Sequence, residues 1–209
     1  MATSEHPMQA LAAYIPENSF EDVVKYIHQY KVHLTVTKQR KSILGDYRSS
    51  HQNKNHRISV NGNLNKYEFL ITLLHEIAHL LTFEQFANRV DAHGKEWKNS
   101  YAQLLVFFLQ KDIFPPDIAT VLYKTIHNPA ATANGETELL KVLRLYNINQ
   151  KKGFTTMADL PTGNLFETDK GRIFKKGLLR RKRFECIEIK TGKLYSFSAI
   201  AEVKILANI

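Results

Sequence analysis

Cysteine is nearly absent: Cys186 stands alone in 209 residues. A single thiol excludes an intramolecular disulfide and any Cys-rich zinc site within one chain, and it fits a reducing compartment. Any metal ion must then be held by histidines and carboxylates. Long apolar runs are lacking as well. The nearest are residues 69–83, which carry charged groups, and "LLVFFL" at residues 104–109. Both fall short of the roughly 18 uninterrupted apolar residues of a spanning helix, so no membrane partner is expected. The N-terminus, "MATSEHPMQALAAYIPENSF", has no basic n-region and does not read as a secretory signal. The sequence predicts a soluble protein inside the cell, in the cytoplasm or at the nucleoid or nucleus. Internal repeats, low-complexity tracts and coiled-coil heptads are missing too.

What is present is an apolar fraction of 44%, enough in a chain of this length for one sizeable core and a small second one. The expected organisation is a main domain over residues 1–150 and an appendage over 151–209. The formal charge of +9 is uneven: residues 170–193 hold ten Lys/Arg against Glu185 and Glu188, a net +8, which leaves +1 for the remainder. That asymmetry points to a polyanion partner for the tail alone.

Asn18 and Ser19 offer caps for a helix with Phe20, Val23, Val24, Ile27 and Tyr30 on its apolar face, ending near Tyr30. Period-two alternation in "VHLTVTKQ" and "HRISVN", with "LGDYRSS" between, predicts a small sheet of about three strands over residues 32–61. Asn65 with Glu68 three residues on is a capping-box-like start to the next helix. Further helices are expected at about residues 94–110, 117–126 and 138–146, with a loop at 128–137. From Gly153 the texture turns β-prone and basic: "LFETDKGRIFKKG" and "RFECIEIKTGKLYSF" each hold a glycine turn, as two hairpins would. The fold class is α+β.

The helix after Asn65 contains "FLITLLHEIAHLLTF", in which His75, Glu76 and His79 sit among leucines and isoleucines. Residues four apart share a helix face with Cβ atoms about 5–6 Å apart, so both imidazoles can reach one metal ion. Glu76 falls beside them, where a carboxylate can take a proton from a water that the metal activates. As ordinary core groups these three would need strong partners, since a buried unpaired carboxylate costs several kcal/mol; a divalent cation suits them best. Zinc is the expected ion, from imidazole ligands and an open fourth position. The third ligand is not Gln85, and Thr82 replaces the glycine of the compact H-E-x-x-H-x-x-G-x-x-H pattern. "DAHGKEWK" offers His93, with Glu96 as the runner-up.

"HEIAH" followed fourteen residues later by "HGKEW" resembles the SprT-like (Spartan-type) zinc metallopeptidases, as does the preceding "LGDYRSSHQNKNHRISVNGNL". The resemblance is close over residues 32–109 and weak elsewhere. It implies a zincin-like fold, His75, His79 and His93 as zinc ligands, Glu76 as the general base, and hydrolysis of peptide bonds in a protein substrate. An extended substrate would add to a sheet edge beside the metal, and "HRISVN" is the candidate edge. Trp97, one helical turn after His93, is expected to pack against that ligand. His6, His28, His33, His51, His56 and His127 read as structural or solvated.

The resemblance also implies a zinc ribbon after the protease domain. Here Cys186 occupies a first knuckle position, Ile189 a second, and the other pair is missing, so the appendage resembles a zinc ribbon that has lost its cysteines. Its Lys175, Lys176, Arg180, Arg181, Lys182 and Arg183, interleaved with Phe174, Phe184, Tyr195 and Phe197, are candidates for DNA contact without sequence reading. The plainer reading of these charges is a solvated edge strand. Three functions stay open: a SprT-type endopeptidase acting on DNA-associated or DNA-crosslinked proteins, a DNA-independent intracellular peptidase, and a nucleic-acid-binding module with a structural metal site.

Overall fold

The most apolar stretch of the sequence becomes the helix around which the first unit is built. The computed structural model describes residues 8–40, 43–51, 54–126, 129, 137–147, 153–181, 183–199 and 201–206. The chain divides into two compact units, Met1–Asn147 and Ile148–Ile209. The first is a mixed α+β unit with helices α1 (Phe20–Gln29), α2 (Lys66–Phe86), α3 (Lys95–Leu109), α4 (Pro116–Thr125) and α5 (Thr137–Arg144), and strands β1 (His33–Thr37), β2 (Gly45–Arg48) and β3 (Arg57–Asn61).

Helix α2 buries Phe69, Leu70, Ile71, Leu73, Leu74, Ile77, Ala78 and Leu80, which is why its sequence shows no polar stripe: a helix apolar nearly all round is a core helix. Its start is fixed by Asn65, whose side-chain oxygen accepts from the N–H groups of Tyr67 (3.1 Å) and Glu68 (3.0 Å). The same side chain donates to the Leu143 carbonyl and to Asn147 Oδ1, both at 2.8 Å, and so ties the end of α5 to the start of α2. The cap expected at Asn18 and Ser19 does not form. Ser19 has helical backbone angles and caps nothing; its hydroxyl donates to the Pro16 carbonyl within a preceding 3-10 turn.

The three-stranded sheet has the order β1-β3-β2, with β1 parallel and β2 antiparallel to β3. This corrects the edge expected at "HRISVN". That segment forms the central strand, its Ile58 and Val60 are buried, and both of its sides are occupied. The edge strand on the α2 side of the site is β2.

The second unit is a six-stranded sheet rather than two hairpins alone: β4 (Phe154–Thr156), β5 (Leu165–Glu167), β6 (Ile173–Arg180), β7 (Arg183–Glu188), β8 (Leu194–Ser198) and β9 (Glu202–Ile205) in the order β4-β9-β5-β6-β7-β8. The two expected hairpins are β5–β6 and β7–β8. A bulge between Lys176 and Leu179 interrupts the β6–β7 register; there a Cβ on Gly177 would stand 2.2 Å from the Glu185 carbonyl oxygen, so only glycine fits. Met157, Leu160, Phe166, Phe174, Cys186 and Val203 form the core of this unit. Among the described residues, no helix is long and apolar enough to cross a membrane.

Candidate metal centre

His75 and His79 project from the middle of α2 on one face, as their spacing requires. His93 arrives from the loop between α2 and α3. That loop begins at Ala87, which closes α2 at a positive φ of 52°, and ends in a turn in which the Gly94 N–H donates to the Asp91 carbonyl. Helix α3 then packs against α2 through Trp97, Tyr101, Leu104, Leu105 and Phe108, all buried, and this packing returns His93 to the two α2 histidines.

The three rings converge. Their centroids are 5.1 Å apart for His75 and His79, 5.4 Å for His75 and His93, and 4.7 Å for His79 and His93. One ligand atom from each lies within 4.8 Å of the others, and Nε2 of His75 is 3.4 Å from Nε2 of His93. Two ligands at about 2.0–2.1 Å from a tetrahedral zinc are separated by about 3.3–3.4 Å. The histidines therefore fit the ion without rearrangement of that pair. Glu96, the alternative third ligand, is not part of the cluster. Trp97 is completely buried, with its ring 4.7 Å from both His75 and His93 and 5.3 Å from His79, and it stacks on Tyr101.

Burial sets the protonation of the site. It lowers the His75 pKa to about 3 and the His79 pKa to about 4, with the neighbouring histidines adding to the effect, and lowers that of His93 as well. All three are neutral near pH 7, the form that binds metal. Glu76 is 6% exposed; burial raises its carboxyl to about 8, Asp46 pushes in the same direction and Arg40 opposes.

These groups line an open cleft of about 510 Å³ whose opposite wall is Ile43, Leu44, Gly45, Asp46 and Tyr47. That wall is held by a cluster the sequence reading did not single out. Arg40 donates to Asn61 Oδ1 (2.8 Å), to the Ser59 hydroxyl (3.0 Å), and to the carbonyls of Leu44 and Ser59 (both 3.3 Å). Asn61, 1% exposed, donates in turn to the carbonyls of Arg40 and Ile43. Asn61, the last residue of β3, thus anchors the cleft wall through its side chain. Gly45 and Tyr47 carry no motif signal, because their part in the site lies in contacts with α2; His56, read as structural or solvated, is a buried structural group.

The basic candidates of the second unit separate into different environments. Lys175, Arg180, Arg181 and Arg183 are exposed. Arg183 also donates to the Ser196 hydroxyl and carbonyl, each at 2.9 Å, and Arg180 lies 3.7 Å from Glu185. Lys176 is 4% exposed; its ammonium donates to the Leu160 and Ala158 carbonyls and lies over the Phe184 ring. It is thus an interior group and not a surface cation. Lys182 lies outside the described residues, as do His6, His127 and most of the loop read at 128–137. The aromatic residues expected to interleave with the cations turn inward: Phe174 is in the core and Phe184, Tyr195 and Phe197 pack against it. Of the remaining histidines, His28, His33 and His51 are exposed and His56 is buried.

Residues 10–113 match the SprT-like family, a span that holds α1, all three strands of the first sheet, the H-E-x-x-H helix, His93 and α3. No curated protein and no solved structure matches the chain. Through this domain, in which every residue of the histidine cluster lies, the chain belongs to the SprT-like family.

Proposed function

We propose that the chain is a zinc-dependent endopeptidase of SprT type with a zincin-like catalytic domain, acting on proteins associated with or crosslinked to DNA. The observation that carries the reading is the convergence of three neutral imidazoles with a buried carboxylate in one cleft, along a sheet edge.

His75, His79 and His93 would hold the zinc. The bound ion supplies a Lewis acid and a water acidic enough to lose its proton near neutral pH. Glu76 would take a proton from the attacking water and pass one to the leaving amine, and a carboxyl raised toward neutrality is suited to both directions. The outer edge of β2 aligns an extended peptide as an added strand, with Gly45 to Tyr47 facing its backbone. Trp97 and Tyr101 keep water from the far side of His75.

For the appendage, the supporting features are the exposed Lys175, Arg180, Arg181 and Arg183. We read it as a ribbon-like sheet without metal, with Cys186 buried in its core, that would bring the protease to DNA through phosphate contacts. The inward aromatics favour a backbone-only mode over base stacking. The burial of Lys176 shrinks the basic surface and favours, as second reading, a DNA-independent peptidase.

The deciding experiment is proteolysis of a denatured or loosely folded protein, with and without DNA, beside Glu76→Gln. Zinc-dependent cleavage by the wild type alone supports the peptidase. Zinc binding without turnover in either protein would make the metal site structural. Cleavage indifferent to DNA would select the second reading.

A further inference from the structure

One buried histidine joins the edge strand to the last turns of α2. His56 is 6% exposed and immediately precedes β3. Its Nδ1 lies 2.9 Å from the Tyr47 hydroxyl and 3.3 Å from the Ser50 backbone nitrogen, and its Nε2 lies 3.2 Å from Glu84 Oε1. The Ser50 N–H can only donate, so Nδ1 is the bare acceptor and Nε2 carries the hydrogen that goes to Glu84. The Tyr47 hydroxyl must therefore donate to Nδ1 as well. Its proton is committed to His56.

This bond fixes more than a hydroxyl. The Tyr47 ring lies 15° from the plane of His56 and 5° from the plane of His79, with centroids 5.9 and 6.3 Å away. Phe83 meets both Tyr47 and His56 from α2. Tyr47 thus belongs at once to the edge strand, to the cleft wall and to the surroundings of one histidine of the cluster.

We propose that His56 is a positioning residue for the metal cleft: by holding Tyr47 it sets the phenol ring against His79 and keeps the edge of β2 in place along α2. The proposal rests on the reading of His75, His79 and His93 as zinc ligands. A role confined to filling space would need only bulk at position 56. A tether needs an acceptor at the place of Nδ1. The side-chain oxygen of asparagine falls near Nδ1, whereas the amide of glutamine reaches the place of Nε2, so these two substitutions separate the Tyr47 bond from the Glu84 contact.

The test compares the wild type with His56→Asn, His56→Gln, Tyr47→Phe and the double variant Tyr47→Phe/His56→Gln, and measures the rate of zinc release to a chelator, kcat/KM on a short peptide, and the melting temperature. Tyr47→Phe and His56→Gln are expected to release zinc faster and to lose kcat/KM, each by about tenfold, the scale seen for partners that orient metal ligands. His56→Asn should remain near the wild type. The double variant should match His56→Gln, because the bond it removes is already gone. Wild-type zinc release and kcat/KM in Tyr47→Phe would overturn the positioning role, and so would a His56→Asn no better than His56→Gln. Losses that follow the melting temperature across the set would overturn it too. A wild type that takes up no zinc would overturn the zinc reading itself.

Discussion

A methyl group placed on Gly45 would stand 2.5 Å from Oε1 of Glu76 and 2.9 Å from its Cγ. It would also meet Thr72 Cγ2, one turn earlier on α2, at 2.9 Å. The glycine is therefore needed for close approach: the edge strand can lie against the proposed base only where it has no side chain. Gly45→Ala is expected to keep the histidine cluster and its zinc while displacing the Glu76 carboxylate. A displacement on the order of 1 Å can lower a rate by about 100-fold. Zinc stoichiometry and kcat, measured together, check this; unchanged kcat would mean that the carboxylate has room to move.

Removing metal should expose two opposite pH dependences. Glu76 has a folded pKa of about 8, above its ordinary value of 4.5. Its favourable contribution is present in full below about 4.5 and is lost as pH rises through about 8. His75 and His79 are displaced the other way, to about 3 and about 4 from 6.5. Their contribution is present above about 6.5 and lost as pH falls toward those values. The metal-free protein should thus melt at lower temperature on both the acid and the alkaline side. Glu76→Gln should abolish the alkaline decline and leave the acid one. Zinc should flatten the alkaline decline, since a cation favours the carboxylate, and deepen the acid one, since it competes with protons for the imidazoles and is displaced as pH falls. Melting curves from pH 4 to pH 9, with chelator or with zinc, check the three statements.

The local part of this structure was legible in the residues. His75 and His79 announce themselves by helical spacing, Asn65 by its place before an apolar run, and β5–β6 and β7–β8 by glycine turns between β-prone segments. What escaped depends on pairing between distant segments. Strand alternation in "HRISVN" shows that one face is buried, but it does not say whether one edge or both are paired, and β3 turned out to be central. Lys176 has the same charge as Lys175, and only the period of two and the carbonyls of Ala158 and Leu160 decide that one faces inward. The roles of Arg40, Asn61 and His56 arise from contacts across the sheet and between sheet and helix, which no short motif records.

Asn65 links helix α2 to the end of α5, and its removal should be felt at both. Asn65→Ala removes the cap of the helix that carries the histidine cluster, worth about 0.5–2 kcal/mol, and leaves the Leu143 carbonyl, which accepts from Asn65 at 2.8 Å, without that donor. The combined loss should be on the order of 2 kcal/mol. Asn65→Asp restores the acceptor for the Tyr67 and Glu68 N–H groups but not the donor to Leu143, so it should recover part of the stability. Urea denaturation of the three proteins separates the two contributions; equal stability of the Ala and Asp variants would assign the whole effect to the α5 contact.

The buried and exposed cations of the appendage give the DNA proposal an internal control. Neutralising Arg180, Arg181 and Arg183 together removes charge from exposed positions. If each meets a phosphate, the slope of log K against log[salt] should shrink in magnitude by about 0.9 per contact on duplex DNA, or about 0.7 on a single strand. Lys176→Met removes the same kind of charge from an interior position. It should alter the stability of the second unit, through the lost bonds to Leu160 and Ala158, and leave the salt slope untouched. Zinc content should be unchanged in both variants. Cleavage of a DNA-bound protein should fall in the triple variant while hydrolysis of a small free peptide does not, because remote binding raises local concentration without changing the reacting centre. An unchanged slope in the triple variant would mean that these arginines only protect the strand ends from pairing, and the appendage would then need a function other than DNA binding.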